Sequence, residues 1–592
     1  MFSSSISVHH ASVYARSNGT ADAETEGGFS RDLIDRIIFG RQWIPNTYHF
    51  TIGAVLLVFA LRHWLGILWE AKLASKGRSP SSRRRDSAIS EESALLDSTE
   101  SKTRNEGAGT VRRLLLKARA ILMYQPPPIP YVNKVLPSNA TSLLIIILLA
   151  INIFYLTYYT GSTMAIFTAC IMDRAGLLFA VNLPWLYLLA AKNQPIRLLT
   201  GDSYEGLNIL HRRLGEWMCL LAVWHVLGFF AFWWYYILPV PGGESLKSLL
   251  LQGFVLIGIG AFVCYELLWA MSLASFRQWW YELFLASHVV LQAAGLVLLF
   301  FHHPRGKVVS GVSLAVFVVD RVVYRFGLKS RKVLANLEIL EDRETMLISA
   351  NWSLPAQPSW WRQVFGKDIR LGWKPLEHVF ITIPVLGRGH ALQAHPFTIA
   401  SAAPEGQQQH AWLSIIARAR DGFTKDLLHY AQSHTTVGVR LDGPYGSHHA
   451  MRMLRASDTA IVVAGGSGIA VAYPIIWSLL HHSSSSRLRK VCLIWIVREA
   501  SHISWIGIER LEELKELGLY LVLPDPTTKS GRPDVGRLVA EAVDDLAGTA
   551  NGSRIGVVVS APDALNRDVN NTCARLAWEG RDTRVAVEKF GW

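Results

Sequence analysis

The chain has 592 residues, 50% of them hydrophobic, and carries a formal net charge of +13 at neutral pH. Its length suffices for about four domains, and its apolar content is typical of a membrane protein with a soluble part. We assign the basic excess to segments beside membrane spans, where Lys and Arg gather on the cytosolic side, and expect no nucleic-acid partner. The five cysteines form no CxxC pair, which argues against a zinc site or a disulfide framework.

The first half of the chain predicts seven membrane spans. Residues 1–48 are polar and predict a loop-like extracellular segment, in which Asn18 begins a glycosylation sequon. Apolar runs near the ~20 residues that cross a bilayer predict spans at about 49–71, 140–160, 176–192, 211–238, 250–272, 281–303 and 308–326. Residues 72–137 are rich in serine and charge, and we expect a disordered cytosolic linker there.

Basic residues in the connections predict the orientation of these spans. The 72–137 linker, the loop around 192–213 and the stretch after residue 320 are strongly basic, whereas the other loops are less so. Seven spans with the basic loops inside place the N-terminus outside and everything after about residue 327 in the cytosol.

Two of the predicted spans each carry two histidines fourteen positions apart, His211 and His225 in one, and His288 and His302 in the other. At ~100° and ~1.5 Å per residue, both imidazoles of a helix face nearly the same way, about 21 Å apart. Both spans run outward, so His211 faces His288 at the cytosolic level and His225 faces His302 at the outer level. This arrangement suits two stacked haems with axial histidines. His303 is the alternative to His302, which we favour because it repeats the spacing.

Short β-rich runs after about residue 330 predict a small antiparallel barrel. The run from His395 to Thr398 ends one of its strands. There Phe397 can stack on a flat ring system, and Thr398 can hydrogen-bond to a ring atom. Downstream, the run from Arg418 to Thr424 offers charge, a glycine and a helix-capping threonine. Because helix N-termini bind phosphate, this run predicts a diphosphate cradle.

Alternating strands and helices from residue 458 predict a doubly wound α/β domain with a parallel sheet. The run from Gly465 to Gly468 follows a buried strand and opens a helix, which is typical of a dinucleotide pyrophosphate loop. Arg498 follows the next strand, where an arginine can accept the 2′-phosphate of NADP. A solvated basic residue is the alternative reading of Arg498.

Together these features resemble the fungal ferric reductases, within the wider family shared with the NADPH oxidases. The resemblance covers about residues 140–592 and rests on the doubled histidine spacing and on the runs NQPIRLLTGDSYEGLNILHRRLGEW, HPFT, DGFT, GPYG, GGSGI, WIVR and EKFGW. It implies an α-helical transmembrane domain with two b-type haems at 138–328. It also implies a ferredoxin-reductase-like module, with an FAD-binding β-barrel at 329–450 and an NADPH-binding α/β domain at 451–592.

The resemblance also suggests which residues bind each cofactor, with the haem ligands being His211, His225, His288 and His302. We expect the FAD contacts to be His395, Pro396, Phe397, Thr398, Ser401, Gly422, Thr424 and Phe590. We expect the NADPH contacts to be Gly443, Pro444, Gly446, Gly465, Gly466, Gly468, Arg498, Ser560 and Pro562. One departure is that Ser560-Ala561 stand where many relatives have Cys-Gly near the nicotinamide, which bears on hydride-transfer efficiency rather than on the fold.

The predicted enzyme is an NADPH-dependent ferric-chelate reductase of the plasma membrane. It passes electrons through FAD and two haems to extracellular Fe(III), free or in chelates such as siderophores, or to Cu(II). The expected partners are these metals, membrane lipid and an iron permease or oxidase system for uptake. The alternatives are a superoxide-generating NADPH oxidase, a non-catalytic membrane protein that binds haem and nucleotide, and a vacuolar location.

Overall fold

The computed structural model describes residues 31–76, 110–130, 135–161, 163–191, 195–201, 204–239, 243–326, 330–355, 368–387, 389–390, 393–404, 409–420, 422–481, 488–548 and 553–588. The chain divides into two compact units. The first joins residues up to Trp64 to Leu143–Phe326, and the second joins Leu65–Ser142 to Gly327–Trp592. Phe590, one of the expected FAD contacts, lies outside the described residues.

Long apolar helices build the first unit. They are α1 (Arg31–Lys76), α2 (Asn139–Thr157), α3 (Met164–Ala190), α4 (Tyr204–Phe232), α5 (Gly253–Met271), α6 (Tyr281–His302) and α7 (Pro304–Phe326). Within the described part of the chain, α1 to α6 are long and apolar enough to cross a membrane. The seventh predicted span also forms a helix, α7, but it includes Lys307, Asp320 and Arg321 and is not among those six. Seven spans therefore stay a prediction.

The first helix begins at Arg31, so the prediction of a loop-like segment is wrong for residues 31–48. Its apolar residues are spread between polar ones and share a helix face, a pattern that overall polarity conceals. Ile44 and Tyr48 on this face are almost fully buried. The Tyr48 hydroxyl donates to Asn182 Oδ1 (2.6 Å) and accepts from Asn152 Nδ2 (3.1 Å). The helix contains an interior proline, Pro45, which cannot donate a backbone hydrogen bond. The contacts with α2 and α3 stabilise the helix despite this proline.

The prediction of a disordered linker at 72–137 is wrong for its described part. Helix α1 continues to Lys76, and residues 110–123 form a helix that we call the linker helix. Leu116 and Ala120, four positions apart, are buried on one face of it. The serine- and charge-rich composition of the segment hides this amphipathic stretch. Residues 77–109 lie outside the described part.

An antiparallel sheet forms the first domain of the second unit. Its strands are β1 (Ser330–Ile339), β2 (Thr345–Ser353), β3 (His378–Thr382), β4 (His395–Thr398), β5 (His410–Arg418) and β6 (Thr436–Tyr445), in the order β4-β3-β6-β1-β2-β5. Helix α8 (Phe423–Ala431) lies between β5 and β6. Just beyond β4, the Ala400 amide donates to the Ser414 carbonyl on β5 (2.8 Å), which joins the two edge strands. The predicted antiparallel fold is confirmed.

A parallel sheet forms the second domain. Its strands are β7 (Thr459–Gly465), β8 (Lys490–Ile496), β9 (Leu519–Val522), β10 (Arg554–Ser560) and β11 (Asp582–Val587), in the order β11-β10-β7-β8-β9. The helices are α9 (His449–Arg455), α10 (Ile469–His481), α11 (Ile508–Glu516), α12 (Val535–Ala547) and α13 (Asp563–Trp578). All the neighbouring strands pair in parallel, so the doubly wound prediction is confirmed. Because β7 and β10 are neighbours, their carboxyl ends meet.

A small polar cluster joins these two domains. Asp342, in the turn between β1 and β2, accepts hydrogen bonds from the Thr345 hydroxyl (2.6 Å) and from Trp505 Nε1 (3.3 Å). The His502 ring stacks on Trp505 with centroids 4.3 Å apart, and its Nε2 lies 3.9 Å from the Asp342 carboxylate. Both His502 and Asp342 are buried. The cluster therefore fixes the parallel-sheet domain to the antiparallel one.

This junction predicts a loss of stability in acid. Burial lowers the pKa of His502, and the nearby Asp342 carboxylate opposes this only in part. Burial opposes the ionisation of Asp342, but donors from Thr345, Glu344 and Trp505 outweigh it and hold the pKa of Asp342 below its usual range. Both groups therefore bind fewer protons in the folded chain than in the unfolded one. Stability should fall as the pH drops below about 6.5, where an unfolded histidine protonates.

The measurement is the apparent Tm of the full chain between neutral pH and pH 5. His502→Phe removes the histidine contribution, so its Tm should decline less steeply with acid than that of the parent chain. The matched control is His434→Phe, at an exposed ring that stacks on Tyr430. Equal slopes for all three proteins would contradict the assignment.

Candidate functional site

The four spaced histidines lie on α4 and α6, and each ring is anchored through Nδ1. The anchors are the Leu186 carbonyl for His211 (3.0 Å), the Met172 carbonyl for His225 (2.8 Å), the Phe254 carbonyl for His302 (2.9 Å) and the Ser272 hydroxyl for His288 (3.2 Å). The Ser272 hydroxyl itself donates to the Leu268 carbonyl (2.6 Å), so it accepts from His288. An Nδ1–H that donates to such a partner leaves Nε2 as the ligand nitrogen.

Each histidine on α4 interacts electrostatically with one histidine on α6. His211 and His288 lie close enough for a charge on one ring to act on the other, and so do His225 and His302. The rings of the second pair have the same kind of anchor, a backbone carbonyl of a neighbouring helix. This similarity favours His302 over His303 as the partner of His225. The role of the four rings as metal ligands stays a prediction.

Two glycines make room for the rings of His225 and His302. A Cβ on Gly176 of α3 would lie 2.9 Å from the His225 ring, and a Cβ on Gly258 of α5 would lie 2.5 Å from His302 Cε1. Any other residue would push the ring away from its carbonyl anchor. Neither glycine could be predicted from the sequence, because histidine spacing within α4 and α6 carries no information about the facing helices.

The two motifs expected to bind FAD lie side by side in the antiparallel domain. The His395 ring on β4 stacks on Phe423 of α8, with centroids 4.0 Å apart and planes at 19°. Phe397, two positions along β4, has its ring centroid 6.2 Å from that of Phe423. Phe423 is not among the FAD contacts expected from the sequence, although it lies inside the DGFT run. Pro396 and Thr398 complete the half-buried strand β4.

The predicted diphosphate cradle lies at the start of α8. Gly422 is its N-cap and has a φ of 68°, in the region that favours glycine. The Thr424 hydroxyl accepts from the Arg420 amide (2.9 Å), which holds the loop in front of the helix. Ser401 is different, because its buried hydroxyl accepts from the Ser414 amide (3.0 Å) and supports the sheet.

The glycine loop expected to bind the NADPH pyrophosphate joins β7 to α10. A Cβ on Gly468 would overlap the Ser560 carbonyl, and a Cβ on Gly465 would lie 2.7 Å from Ala561 Cβ. Gly466 has a φ of 54°. The loop therefore packs directly on the segment after β10 that ends in Pro562, so the structure brings two of the predicted motifs together.

Ser560 is buried rather than open to a ligand. It is 1% exposed, and its hydroxyl donates to the Glu588 carbonyl after β11 (2.9 Å). Its contacts hold the ends of β10 and β11 together beneath the glycine loop. Ser560 therefore supports the loop, and its contact with the nicotinamide, which the resemblance implies, stays a prediction.

The remaining predicted residues lie at two other places in the second unit. Arg498 is exposed just after β8, and its carbonyl accepts from the Thr528 hydroxyl (2.7 Å). The turn Gly443-Pro444-Tyr445-Gly446 ends β6 in the antiparallel domain, where a Cβ on Gly446 would lie 2.5 Å from the Leu376 carbonyl. Only a glycine fits at that close approach.

Comparisons with known families match three parts of the chain. The ferric reductase like transmembrane component matches residues 175–299, an FAD-binding domain matches 363–449, and a ferric reductase NAD binding domain matches 458–521. These matches confirm the predicted FAD- and NAD-binding domains and the helical membrane domain.

Curated relatives match over a similar region. The chain is 26% identical over 351 residues to the "Ferric/cupric reductase transmembrane component 7" of Saccharomyces cerevisiae, covering 57% of this chain and 51% of that protein. It is 26% identical over 418 residues to the "Probable cell surface ferric reductase kap2" of Aspergillus oryzae, covering 66% and 52%. A solved ferredoxin NADP+ reductase from Neisseria gonorrhoeae matches with a TM-score of 0.32 and 15% identity, covering 44% of this chain and 98% of that one. The chain spans about half the length of the curated relatives it matches.

Proposed function

We propose that this chain, which carries the transmembrane, FAD-binding and NAD-binding domains of the ferric reductases, uses cytosolic NADPH to reduce metal ions across a membrane. Its substrates are Fe(III), free or chelated as in siderophores, and Cu(II). The reaction serves metal uptake at the plasma membrane, in concert with a permease or oxidase. Seven spans place the N-terminus outside and the C-terminus in the cytosol. The support is the similarity of the chain to a ferric/cupric reductase and to a probable cell surface ferric reductase.

The main support for the proposal is the set of four anchored histidines, which fall into two pairs. Each of the four rings has Nδ1 held by a carbonyl or a hydroxyl, which leaves four Nε2 atoms in two sets. Gly176 and Gly258 leave space at the outer set that a Cβ would fill. This donor set fits two b-type haems, His211 and His288 holding one, and His225 and His302 the other.

The second unit supplies the binding surfaces for the other two cofactors. His395, Phe397 and Phe423 offer stacked aromatic faces to a flavin ring, and the N-terminus of α8 offers amides to its diphosphate. The glycine loop after β7 receives the NADPH pyrophosphate. Bound FAD would supply the conversion of hydride chemistry to single-electron chemistry, and bound haems would supply single-electron transfer. The residues of these surfaces would bind and orient the groups.

The position of Arg498 predicts that the chain prefers NADPH to NADH. A charge-assisted hydrogen bond to the 2′-phosphate contributes about 1.5–3 kcal/mol, or roughly ten- to a hundredfold in affinity. Arg498→Ala should raise the KM for NADPH by this factor and leave that for NADH unchanged. Steady-state kinetics with both nucleotides test it, with the exposed Arg537→Ala on α12 as the control. A parallel loss with NADH would mean that Arg498 does not bind the 2′-phosphate.

The acceptor is tested with superoxide dismutase. Membranes that contain the chain should reduce a ferric chelate with NADPH at the same rate whether or not dismutase is present. Iron reduction that dismutase abolishes would instead identify oxygen as the acceptor, and the chain as an NADPH oxidase. An absence of both activities in membranes with a normal haem spectrum would favour the non-catalytic alternative.

A further inference from the structure

The linker helix has two apolar faces, and only one of them is covered within the described chain. Leu116 and Ala120 are 4% exposed, and Met123 at the end of the helix packs against the core of the parallel-sheet domain. Arg119 forms an ion pair with Asp582 (2.5 Å), and Lys117 Nζ lies 5.0 Å from the Trp578 ring centroid. The covered face therefore holds the helix on α13 and β11.

The opposite face presents large apolar side chains to the exterior. At ~100° per residue, they cover an arc of about 120° whose centre lies nearly opposite Leu116. Their exposed fractions are 57% for Val111, 63% for Leu114, 63% for Leu115, 55% for Ile121 and 39% for Leu122. At the same pitch Arg112, Arg113 and Lys117, all exposed, lie outside this arc, Arg112 beyond one edge and Arg113 and Lys117 beyond the other. An exposed apolar stripe beside basic residues is typical of a helix that lies in a membrane interface.

Hydrogen bonds tie the end of this helix to the start of a candidate span. The Asn139 side-chain amide donates to the Ile121 carbonyl (2.8 Å), and the Asn139 backbone amide donates to the Tyr124 carbonyl (2.9 Å). Gln125 Nε2 donates to the Leu136 carbonyl (2.7 Å). Asn139 is the first residue of α2, which is long and apolar enough to cross the bilayer. The helix must therefore end close to the membrane surface at which α2 enters.

We propose that the exposed face of the linker helix binds the lipid leaflet from which α2 starts. Val111, Leu114 and Leu115 enter the boundary between headgroups and acyl chains, and Arg112 and Arg113 contact anionic headgroups. In the proposed topology this is the cytosolic leaflet, which carries the anionic lipid. The helix then attaches the parallel-sheet domain to the lipid surface through the contacts of its other face. Metal reduction is not needed for this binding, so it is tested without an activity assay.

The test places a fluorophore on Leu114→Cys in the full chain, reconstituted in nanodiscs whose lipids carry a nitroxide near the headgroup. The control label is placed on Glu512→Cys, on the exposed face of α11. The parent chain, treated with the same fluorophore, gives the background signal from the native cysteines. Quenching at Leu114→Cys should exceed that at Glu512→Cys several-fold. It should be stronger in discs with phosphatidylserine than in pure phosphatidylcholine.

Arg113→Glu, added to the Leu114→Cys chain, should remove the phosphatidylserine effect and leave the folded module intact. Equal quenching at the two labelled sites would overturn the proposal. Self-quenching of the fluorophore that appears only when two chains share a disc would also overturn it, because the face would then bind a second copy of the chain.

Discussion

Replacing His225 by leucine is expected to abolish NADPH-driven reduction of metal on the outer side, while flavin reduction by NADPH continues at the parental rate. Leucine fills a similar volume but has no lone pair, so the outer pair loses one of its two ligand nitrogens. The His225 ring is anchored on the Met172 carbonyl of α3 and interacts electrostatically with His302. The second unit, which would bind NADPH and FAD, contains none of these residues.

Two measurements check this expectation, the absorbance spectrum of the purified variant and its stopped-flow reduction by NADPH. The haem absorbance of the variant should correspond to one bound haem instead of two. The control is His303→Leu, which changes the neighbour of His302 and should preserve both haems and the metal reductase activity. If His303→Leu lost a haem and His302→Leu kept both, the ligand would be His303, the alternative that the sequence left open.

Replacing Gly468 by alanine is expected to block the use of NADPH. The added methyl group would overlap the Ser560 carbonyl, a backbone atom that can move only if β10 moves. Overpacking of this kind costs about 1–3 kcal/mol of stability, and relief by a shift of the loop would displace the amides that bind the pyrophosphate. We expect a large rise in the KM for NADPH, a lower apparent Tm, or both.

The matched control for this variant is Gly438→Ala on β6, where no atom lies within 4 Å of the added Cβ. It should retain the parental kinetics and Tm. Nucleotide titration and thermal unfolding of both variants give the comparison. Parental behaviour of Gly468→Ala would show that the loop accommodates the methyl group and does not pack as described.

Regular patterns made much of the architecture predictable. The fourteen-residue spacing of His211 and His225, repeated in α6, predicted two pairs because helix geometry fixes the face of each ring. The buried strand before Gly465 predicted a parallel sheet with a glycine loop at its carboxyl end. Both features depend on the local conformation of one segment. The spacing of residue types along the sequence indicates that conformation directly.

Features that depend on contacts between distant segments were not predictable. Gly176 and Gly258 matter because they face His225 and His302 across helices, and nothing local marks them. The buried position of Ser560 follows from its bond to Glu588, at the end of another strand. The linker helix was concealed by its charge, since only its docking on α13 and β11 shows which apolar residues are buried.

In the proposed function, electrons from NADPH cross the membrane through the two histidine pairs. The most direct measurement uses sealed vesicles, with the full chain oriented so that its second unit faces the medium and a ferric chelate is trapped inside. NADPH added outside should reduce the trapped iron, with dismutase present, and His225→Leu vesicles should not. Reduction of trapped iron at the parental rate in His225→Leu vesicles would contradict the account.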